Sequence, residues 1–209
     1  SIYLMGEGAH MKVHFDAPQI EREFPDRVVT LPISEDGNTN FAVGASLLGV
    51  KPVVDVITAD FLYRTMDSIC NTAAKINFVS PEPPKTIVIR SEFLLGGPTT
   101  GQRPEALFTH IPGLSVVVPS TPRDAYGLMR TALANPGVTV FFEDRMIQDS
   151  LIEPSEKAEP DDGSIPFGKA RVVWSPPYTS QLTLVTYGLM CQIVKGMPKY
   201  PDGVEIIDL

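Results

Sequence analysis

The chain has 209 residues, of which 43% are hydrophobic and 20% are charged, and its formal net charge is −8. This composition is typical of a folded globular protein, and the length supports one core of roughly 150 residues plus further material. The acidic balance argues against non-specific nucleic-acid binding, and no apolar run approaches the ~18 residues of a membrane helix. Cys70 and Cys191 do not make a disulfide framework, so we expect a reducing, cytoplasmic setting.

Apolar runs with little polar alternation predict strands that are buried on both faces, as in a parallel sheet. In chain order, these strands are predicted at residues 2–5, 27–31, 52–57, 86–90, 114–118 and 138–143. Helical spacing of apolar residues follows at 61–74, and Thr121-Pro122 begins a helix that runs to residue 133. Alternating strands and helices predict an α/β fold, a three-layer αβα domain with a mostly parallel sheet.

The amino-acid composition changes along the sequence and divides the chain into three parts. Residues 1–147 carry the strand and helix alternation, and residues 148–181 read as a proline-rich, acidic linker with one short strand at 167–174. Residues 182–209 hold two predicted strands, which we interpret as the start of an incomplete C-terminal domain. About 28 residues cannot build a core alone, so either the chain is a fragment or a partner supplies the rest.

The segment 31–37 ends an apolar strand abruptly at a carboxylate, Glu35, and a run of small residues follows at 41–49. A carboxylate at the carboxyl end of a strand can be directed at a ligand. The alternative is a first-turn helix acid that interacts with the helix dipole. These few residues alone favour the second interpretation.

Many short phrases, in the same order, resemble the β subunit of the decarboxylating component of 2-oxoacid dehydrogenase complexes. That family includes pyruvate, branched-chain and acetoin-type enzymes within the transketolase-like superfamily. The matching phrases are Gly6-Glu7, Pro32-Ile33-Ser34-Glu35, Val43-Gly44-Ala45, Lys51-Pro52-Val53, Asp60-Phe61, Asp67-Ser68-Ile69, Glu105-Ala106-Leu107-Phe108, His110-Ile111-Pro112-Gly113-Leu114, Pro119-Ser120-Thr121-Pro122, Ile165-Pro166-Phe167-Gly168-Lys169-Ala170 and Val185-Thr186-Tyr187-Gly188. The resemblance implies the pyrimidine-binding fold of thiamine-diphosphate enzymes, followed by the beginning of a transketolase C-terminal-like domain.

The resemblance also implies which residues bind the cofactor. Glu35 would hydrogen-bond to the pyrimidine ring nitrogen of thiamine diphosphate and so activate it, which reverses the preference for a plain helix acid. Phe61 would pack against the aminopyrimidine ring, and Ile57 would help to hold the cofactor bent. Ordinary core packing is the alternative for both. It has equal weight for Ile57, whereas the Asp60-Phe61 phrase favours the pocket for Phe61.

Thr100 marks a departure from the family. It stands opposite a histidine that, in the family, reaches the substrate side of the cofactor. Threonine forms hydrogen bonds but carries no proton near neutral pH, as an imidazole does. Cofactor activation is unaffected by this change, whereas transfer of the acyl unit to a lipoyl group is placed in doubt.

The chain has neither a phosphate-binding loop nor the Gly-Asp-Gly…Asn phrase that binds magnesium and diphosphate in thiamine enzymes. By resemblance, an α-type partner holds the Mg²⁺ and the diphosphate, in an α2β2 heterotetramer that serves a lipoyl-bearing acyltransferase. A K⁺ ion would be held by Ile87, Ala132, Leu133 and Asn135. The family usually has aspartate at the last position, so an ordinary loop without the ion has equal weight.

Two classes of function follow from these residues. In the first, the chain is an enzyme subunit, active only with its partner, that decarboxylates a 2-oxo acid and transfers the acyl unit. Within that class, an acyloin-forming carboligase or acyltransferase is the alternative, because of Thr100. In the second class, the chain is a structural subunit without catalysis, which the retention of Glu35 and Phe61 argues against.

Overall fold

A computed structural model of the chain describes residues 1–7, 17–94, 97, 99–148, 163–197, 200 and 203–209. It divides into two compact units. The first consists of Ser1–Val117 with Ala132–Arg145, and the second of Val118–Thr131 with Met146–Leu209. The domain limits predicted at residues 147 and 182 follow composition rather than packing, and they stay a prediction.

The described residues form strands and α-helices in an alternating order. The strands are β1 (Ile2–Gly6), β2 (Val28–Thr30), β3 (Lys51–Thr58), β4 (Thr86–Phe93), β5 (Leu114–Val117), β6 (Gly137–Asp144), β7 (Arg171–Trp174), β8 (Leu182–Thr186) and β9 (Val204–Asp208). The α-helices are α1 (Ala17–Glu23), α2 (Glu35–Leu47), α3 (Ile76–Val79), α4 (Glu105–Thr109), α5 (Pro122–Ala134), α6 (Arg145–Gln148) and α7 (Gly188–Lys195).

A six-stranded parallel sheet in the order β2-β1-β3-β4-β6-β5 forms the first unit. This confirms the predicted α/β fold with a parallel sheet. Strand β4 is buried along its whole length, as expected for a central strand covered on both faces. It runs three residues beyond the predicted end, to Phe93, because Ser91, Glu92 and Phe93 continue the ladder with β6.

The core of the first unit lies on the central strands. Val54, Ile89 and Val140 are completely buried on neighbouring strands. Phe93 and Phe142 stack with ring centroids 4.9 Å apart, an arrangement that adds to the stabilisation from burying the rings. The sheet is therefore a rigid base for the loops at its carboxyl edge.

The segment after β3 is helical, as the apolar spacing over 61–74 predicts, but it is not a single α-helix. It consists of a 3₁₀ helix (Ala59–Thr65), a π-helix (Ser68–Thr72) and a second 3₁₀ helix (Ala73–Lys75), followed by α3. Apolar spacing does not distinguish these forms, because all of them present a one-sided stripe. Short π segments are frequent at functional sites.

The second unit contains a three-stranded mixed sheet in the order β7-β9-β8, with one antiparallel and one parallel pair. Its buried cluster consists of Val194 from α7 and of Val204 and Ile206 from β9. None of the helices in the described part of the chain has the length and apolarity to span a bilayer.

Candidate functional site

The order of the strands reverses between β1 and β3. The chain leaves β1 for β2 on one side, and then crosses through α2 to β3 on the other side. In open α/β sheets, ligands bind in the crevice that such a reversal leaves at the carboxyl ends of the strands. The two strand ends approach closely, since a Cβ added at Gly6 would lie 2.6 Å from the carbonyl oxygen of Asp55.

Glu35 is the first residue of α2, at this carboxyl edge. Ser34 caps the helix by accepting a hydrogen bond from the backbone N–H of Gly37 at 3.3 Å. Glu35 is thus a first-turn acid, as the dipole interpretation requires. Glu35 also lines a cavity, and its contact with a ligand stays a prediction.

The cavity beside Glu35 has a volume of about 340 Å³, and it is lined by Ile33, Ser34, Glu35, Asp36 and Arg64. The sequence analysis did not identify Arg64. It lies three residues after Phe61 in a 3₁₀ helix, where side chains three positions apart lie on the same face. That spacing is the signal that could have placed Arg64 beside the predicted ligand.

Glu7, directly after β1, carries an unusual carboxyl group. Its Oε2 atom is buried and has no hydrogen-bond partner among the described residues. Burial raises the pKa of Glu7 above its ordinary value, and the negative charges of Glu35 and Asp55 raise it further. The end of β1 therefore places Glu7 close to Glu35, the predicted activating carboxylate, and to Asp55.

The first turn of α2 is tied to the π-helix. The Ser68 hydroxyl donates a short hydrogen bond to the carboxylate of Asp36. The Asn40 side-chain amide donates to the Ser68 hydroxyl at 2.6 Å and to the backbone oxygen of Asp36 at 3.1 Å. Ser68 is almost completely buried, so this contact fixes the helix turn on which Glu35 stands.

Ile57 lies near the end of β3, and Phe61 lies in the 3₁₀ helix that follows. Both are half-buried, and α2 packs against the 3₁₀ helix that contains Phe61. Ile57 has a left-handed backbone, with φ of 56°. Their contacts with a cofactor stay a prediction, but neither residue belongs to the fully buried core.

The loop with Thr100 is attached to the same segment. The carboxylate of Asp60 accepts backbone hydrogen bonds from Gly101 at 2.9 Å and from Gln102 at 3.4 Å. Asp60 directly precedes Phe61, so Thr100 is held near the predicted pyrimidine-binding residue. Thr100 is half-buried, and its role on the substrate side stays a prediction.

The residues expected to hold K⁺ belong to the first unit: Ile87, Ala132, Leu133 and Asn135. Two of their backbone oxygens already accept hydrogen bonds. The Lys51 ammonium donates to the oxygen of Leu133 at 2.8 Å, and the Thr86 hydroxyl donates to the oxygen of Asn135 at 3.1 Å. Lys51 thus places a positive charge at this loop, in competition with the predicted ion. The described residues contain no group of three or more His, Cys, Asp or Glu suited to a metal.

A buried arginine between the strands is a second feature that the sequence analysis missed. Arg90 is 1% exposed, and it pairs with Asp55, Glu92 and Glu143. Burial by itself would lower the pKa of Arg90, but Glu143, Asp55 and Glu92 outweigh it and raise the pKa. The available signal was charged residues inside or at the ends of predicted buried strands, namely Asp55, Arg90 and Glu143.

The fold and this carboxyl edge define a class of protein. The family described as transketolase, pyrimidine binding domain matches residues 6–148, which is more than half of the chain. The chain belongs to this family.

Relatives with curated names show which members of this family the chain is similar to. The chain is 32% identical over 224 residues to the pyruvate dehydrogenase E1 component subunit beta of Rickettsia bellii (strain RML369-C), covering 100% of the chain and 65% of that protein. It is 32% identical to the mitochondrial 2-oxoisovalerate dehydrogenase subunit beta 2 of Arabidopsis thaliana, covering 90% of the chain and 54% of that protein. The chain spans 40–65% of the length of the curated relatives it matches.

Among solved structures, a split-gene transketolase described as an inactive β4 tetramer superposes with a TM-score of 0.74 at 18% identity. The match covers 100% of this chain and 64% of that one, and it shows a shared fold.

Proposed function

We propose that this chain is the β-type subunit of a thiamine-diphosphate-dependent enzyme that decarboxylates a 2-oxo acid and transfers the acyl unit. The observation that carries the proposal is the position of Glu35, on the first turn of α2 beside a cavity and next to Glu7. Family membership supports it, as do relatives named as β subunits of pyruvate and 2-oxoisovalerate dehydrogenases.

The residues at the carboxyl edge fit the aminopyrimidine half of the cofactor. The cavity of about 340 Å³ is large enough for a heterocycle, and Glu35 lines it. The buried Glu7 Oε2 without a hydrogen-bond partner in the described residues marks a polar position that a ligand can satisfy. We infer that Glu35 binds the pyrimidine nitrogen and that Phe61 and Ile57 contact the ring.

When bound, thiamine diphosphate supplies a carbon nucleophile for the 2-oxo group and an electron sink for the loss of carbon dioxide. The chain's own contribution is to hold a proton at the Glu35 carboxyl against the ring nitrogen. The Asp36–Ser68 contact keeps the helix turn in place, so the carboxyl does not have to be ordered when the ligand arrives.

The proposal includes an α-type partner in an α2β2 assembly, which would hold the Mg²⁺ and the diphosphate. The sequence carries no phosphate-binding phrase of its own, and relatives of this chain are named as β subunits. A lipoyl-bearing acyltransferase would then be the acceptor of the acyl unit.

One residue favours a second candidate acceptor. Thr100 stands where the family resemblance has a histidine, and its hydroxyl carries no proton near neutral pH. An acyloin-type carboligase, which passes the acyl unit to an aldehyde or ketone, needs no lipoyl group. Product analysis with pyruvate separates the two: acyl-dihydrolipoamide supports the dehydrogenase, and an accumulating hydroxyketone supports the carboligase.

The proposal is tested by Glu35→Gln in the assembled enzyme. Glutamine keeps the size of the side chain but has no acidic proton, so we expect the decarboxylation rate to fall by at least roughly 100-fold. The assembly should remain intact, as measured by size-exclusion chromatography with light scattering.

Glu21→Gln is the matched control, because it removes an exposed carboxyl of the same type on α1. Its decarboxylation rate should equal that of the wild type. If Glu35→Gln also turned over at the normal rate, Glu35 would not be the activating acid.

A further inference from the structure

Ile57 has a costly backbone conformation. Among the described residues, it is the only one other than glycine with a positive φ, at 56°. A β-branched side chain is rarely found in this region, where its backbone is strained. The pairing of β3 with β4 shifts register at the same place, between Asp55 and Thr58. The surrounding structure must therefore hold Ile57 in this state.

The side chain of Asp55 provides that hold. Its Oδ1 atom accepts a hydrogen bond from the backbone N–H of Ile57 at 3.1 Å. A carboxylate that binds the backbone two residues ahead of it stabilises a local turn. Asp55 is 2% exposed, so water competes little with this contact.

Arg90 in turn holds the same oxygen. Its Nη1 atom donates to Asp55 Oδ1 at 3.1 Å. The rest of the guanidinium is fixed by Glu143, through two bonds of 2.9 Å, and by Glu92, also at 2.9 Å. A planar fork held on three sides has a single orientation. The chain of contacts thus runs from β6 and β4, through Arg90 and Asp55, to the backbone of Ile57.

We propose that Asp55 and Arg90 are positioning residues, which hold Ile57 in its left-handed conformation at the crevice between β1 and β3. The inference rests on the proposed function, because Ile57 is the residue expected to contact the cofactor there. Neither Asp55 nor Arg90 is required to touch the cofactor itself. A charge network that served the sheet alone would not need to end on the backbone N–H of the strained residue.

The first test uses the chain without ligand or partner. In the wild type, amide hydrogen exchange measured by NMR should show strong protection of the Ile57 N–H. Asp55→Ala removes the acceptor and should accelerate this exchange at least 10-fold relative to residues of β1. Asp55→Asn keeps an oxygen at the same position and should retain most of the protection. Unchanged exchange at residue 57 in a folded Asp55→Ala variant would overturn the proposal.

A double-mutant cycle, measured by thermal stability, tests the same proposal if Asp55→Ala folds poorly. Glycine adopts positive φ without strain, so in Ile57→Gly the hydrogen bond from residue 57 to Asp55 is no longer needed to stabilise this conformation. Asp55→Asn and Asp55→Ala should therefore lower the melting temperature less in the Ile57→Gly background than in the wild type. Strictly additive effects would show that Asp55 does not support Ile57.

The effect of Asp55 on cofactor binding is tested with the assembled enzyme, thiamine diphosphate and Mg²⁺. Asp55→Ala should raise the KM for the cofactor at least 10-fold and change kcat much less, whereas Asp55→Asn should restore most of the affinity. Loss of exchange protection at residue 57 with an unchanged KM would overturn the positioning role. If Glu35→Gln were fully active, the proposed function would fail instead, whatever the exchange at Ile57 showed.

Discussion

The two units of the chain each contain an arginine paired with several carboxylates, but in different surroundings. In the first unit, Arg90 is 1% exposed and lies in the middle of a parallel sheet. In the second unit, Arg171 is 45% exposed, and it pairs with Asp124 at 3.1 Å and with Asp208 at 3.0 Å. The guanidinium group is thus shielded from water in one unit and half-exposed in the other, although Asp124 and Asp208 are themselves buried.

Exposure decides what such a network can do. A charge that is removed from a buried pair leaves its partner without compensation, at a cost of about 3–5 kcal/mol. A pair near the surface is compensated by water and by salt, and it contributes about 0–1 kcal/mol. The buried network can therefore hold one strained backbone conformation, whereas the exposed network joins helix α5 to the sheet of its own unit.

The largest expected effect is on stability, and matched substitutions reveal it. Arg90→Gln should lower the melting temperature by roughly 10 °C, or prevent folding, because three carboxylates lose their central counter-charge. Arg171→Gln should lower it by only a few degrees, since the hydroxyls of Ser120 and Thr121 still donate hydrogen bonds to Asp208 and Asp124. Thermal denaturation followed by circular dichroism makes the comparison.

Salt provides the control for this comparison. At 1 M NaCl, the difference between the wild type and Arg171→Gln should shrink, because exposed charges are screened, whereas the Arg90→Gln difference should persist. Equal salt sensitivity of the two variants would contradict the assigned difference in environment.

Glu7 tests the carboxyl edge of the first unit, where its charge interacts with Glu35 and with Asp55 of the Arg90 network. Its pKa is raised in the folded protein above the ordinary value of 4.5, so the folded chain holds this proton more tightly than the unfolded chain does. The contribution of Glu7 to stability therefore falls as the pH rises above 4.5, and Glu7→Gln removes that loss. At pH 7, we expect Glu7→Gln to melt higher by about 2 °C, and at pH 4 to match the wild type.

The exposed Glu21→Gln is again the control, and it should melt with the wild type at both pH values. A Glu7→Gln variant that was less stable than the wild type at pH 7 would show that the carboxyl is needed in its charged form.

Substitution of Lys51 gives the smallest expected effect, and it tests whether the Lys51 ammonium group prevents K⁺ from binding at the predicted site. Its ammonium already binds the oxygen of Leu133, so the wild type should melt at the same temperature in KCl and in choline chloride. In Lys51→Met, the freed carbonyl becomes available, and K⁺ should raise the melting temperature by about 1–2 °C relative to choline. A K⁺ effect in the wild type of equal or larger size would mean that Lys51 does not compete with the ion.

The strands and the place of Glu35 were predictable, because burial and helix starts leave local patterns. Apolar runs correctly located β1 through β6, and the Ser34-Glu35 pair marks the beginning of α2. The end of β4 was missed, since Arg90 and Glu92 look like loop charges until they are seen to neutralise each other inside the sheet.

The contacts that hold the site were not predictable from local patterns. Arg90 meets Asp55 from 35 positions away and Glu143 from 53 positions away, and only the strand order brings them together. The left-handed backbone of Ile57 leaves no sequence signal, because isoleucine normally avoids it. Ser68 of the π-helix likewise contacts Asp36, which lies 32 positions earlier.

The outer face of α2 has a practical consequence for chemical labelling. Gly44 is exposed, and a Cβ added there would meet no described atom within 4 Å, so Gly44→Cys introduces a thiol without disturbing the fold. The natural thiols react slowly by comparison, since burial raises the pKa of Cys191 to about 11 and also raises that of Cys70. A maleimide fluorophore would therefore attach selectively at residue 44. A change in its fluorescence would then report the binding of any molecule to this helix.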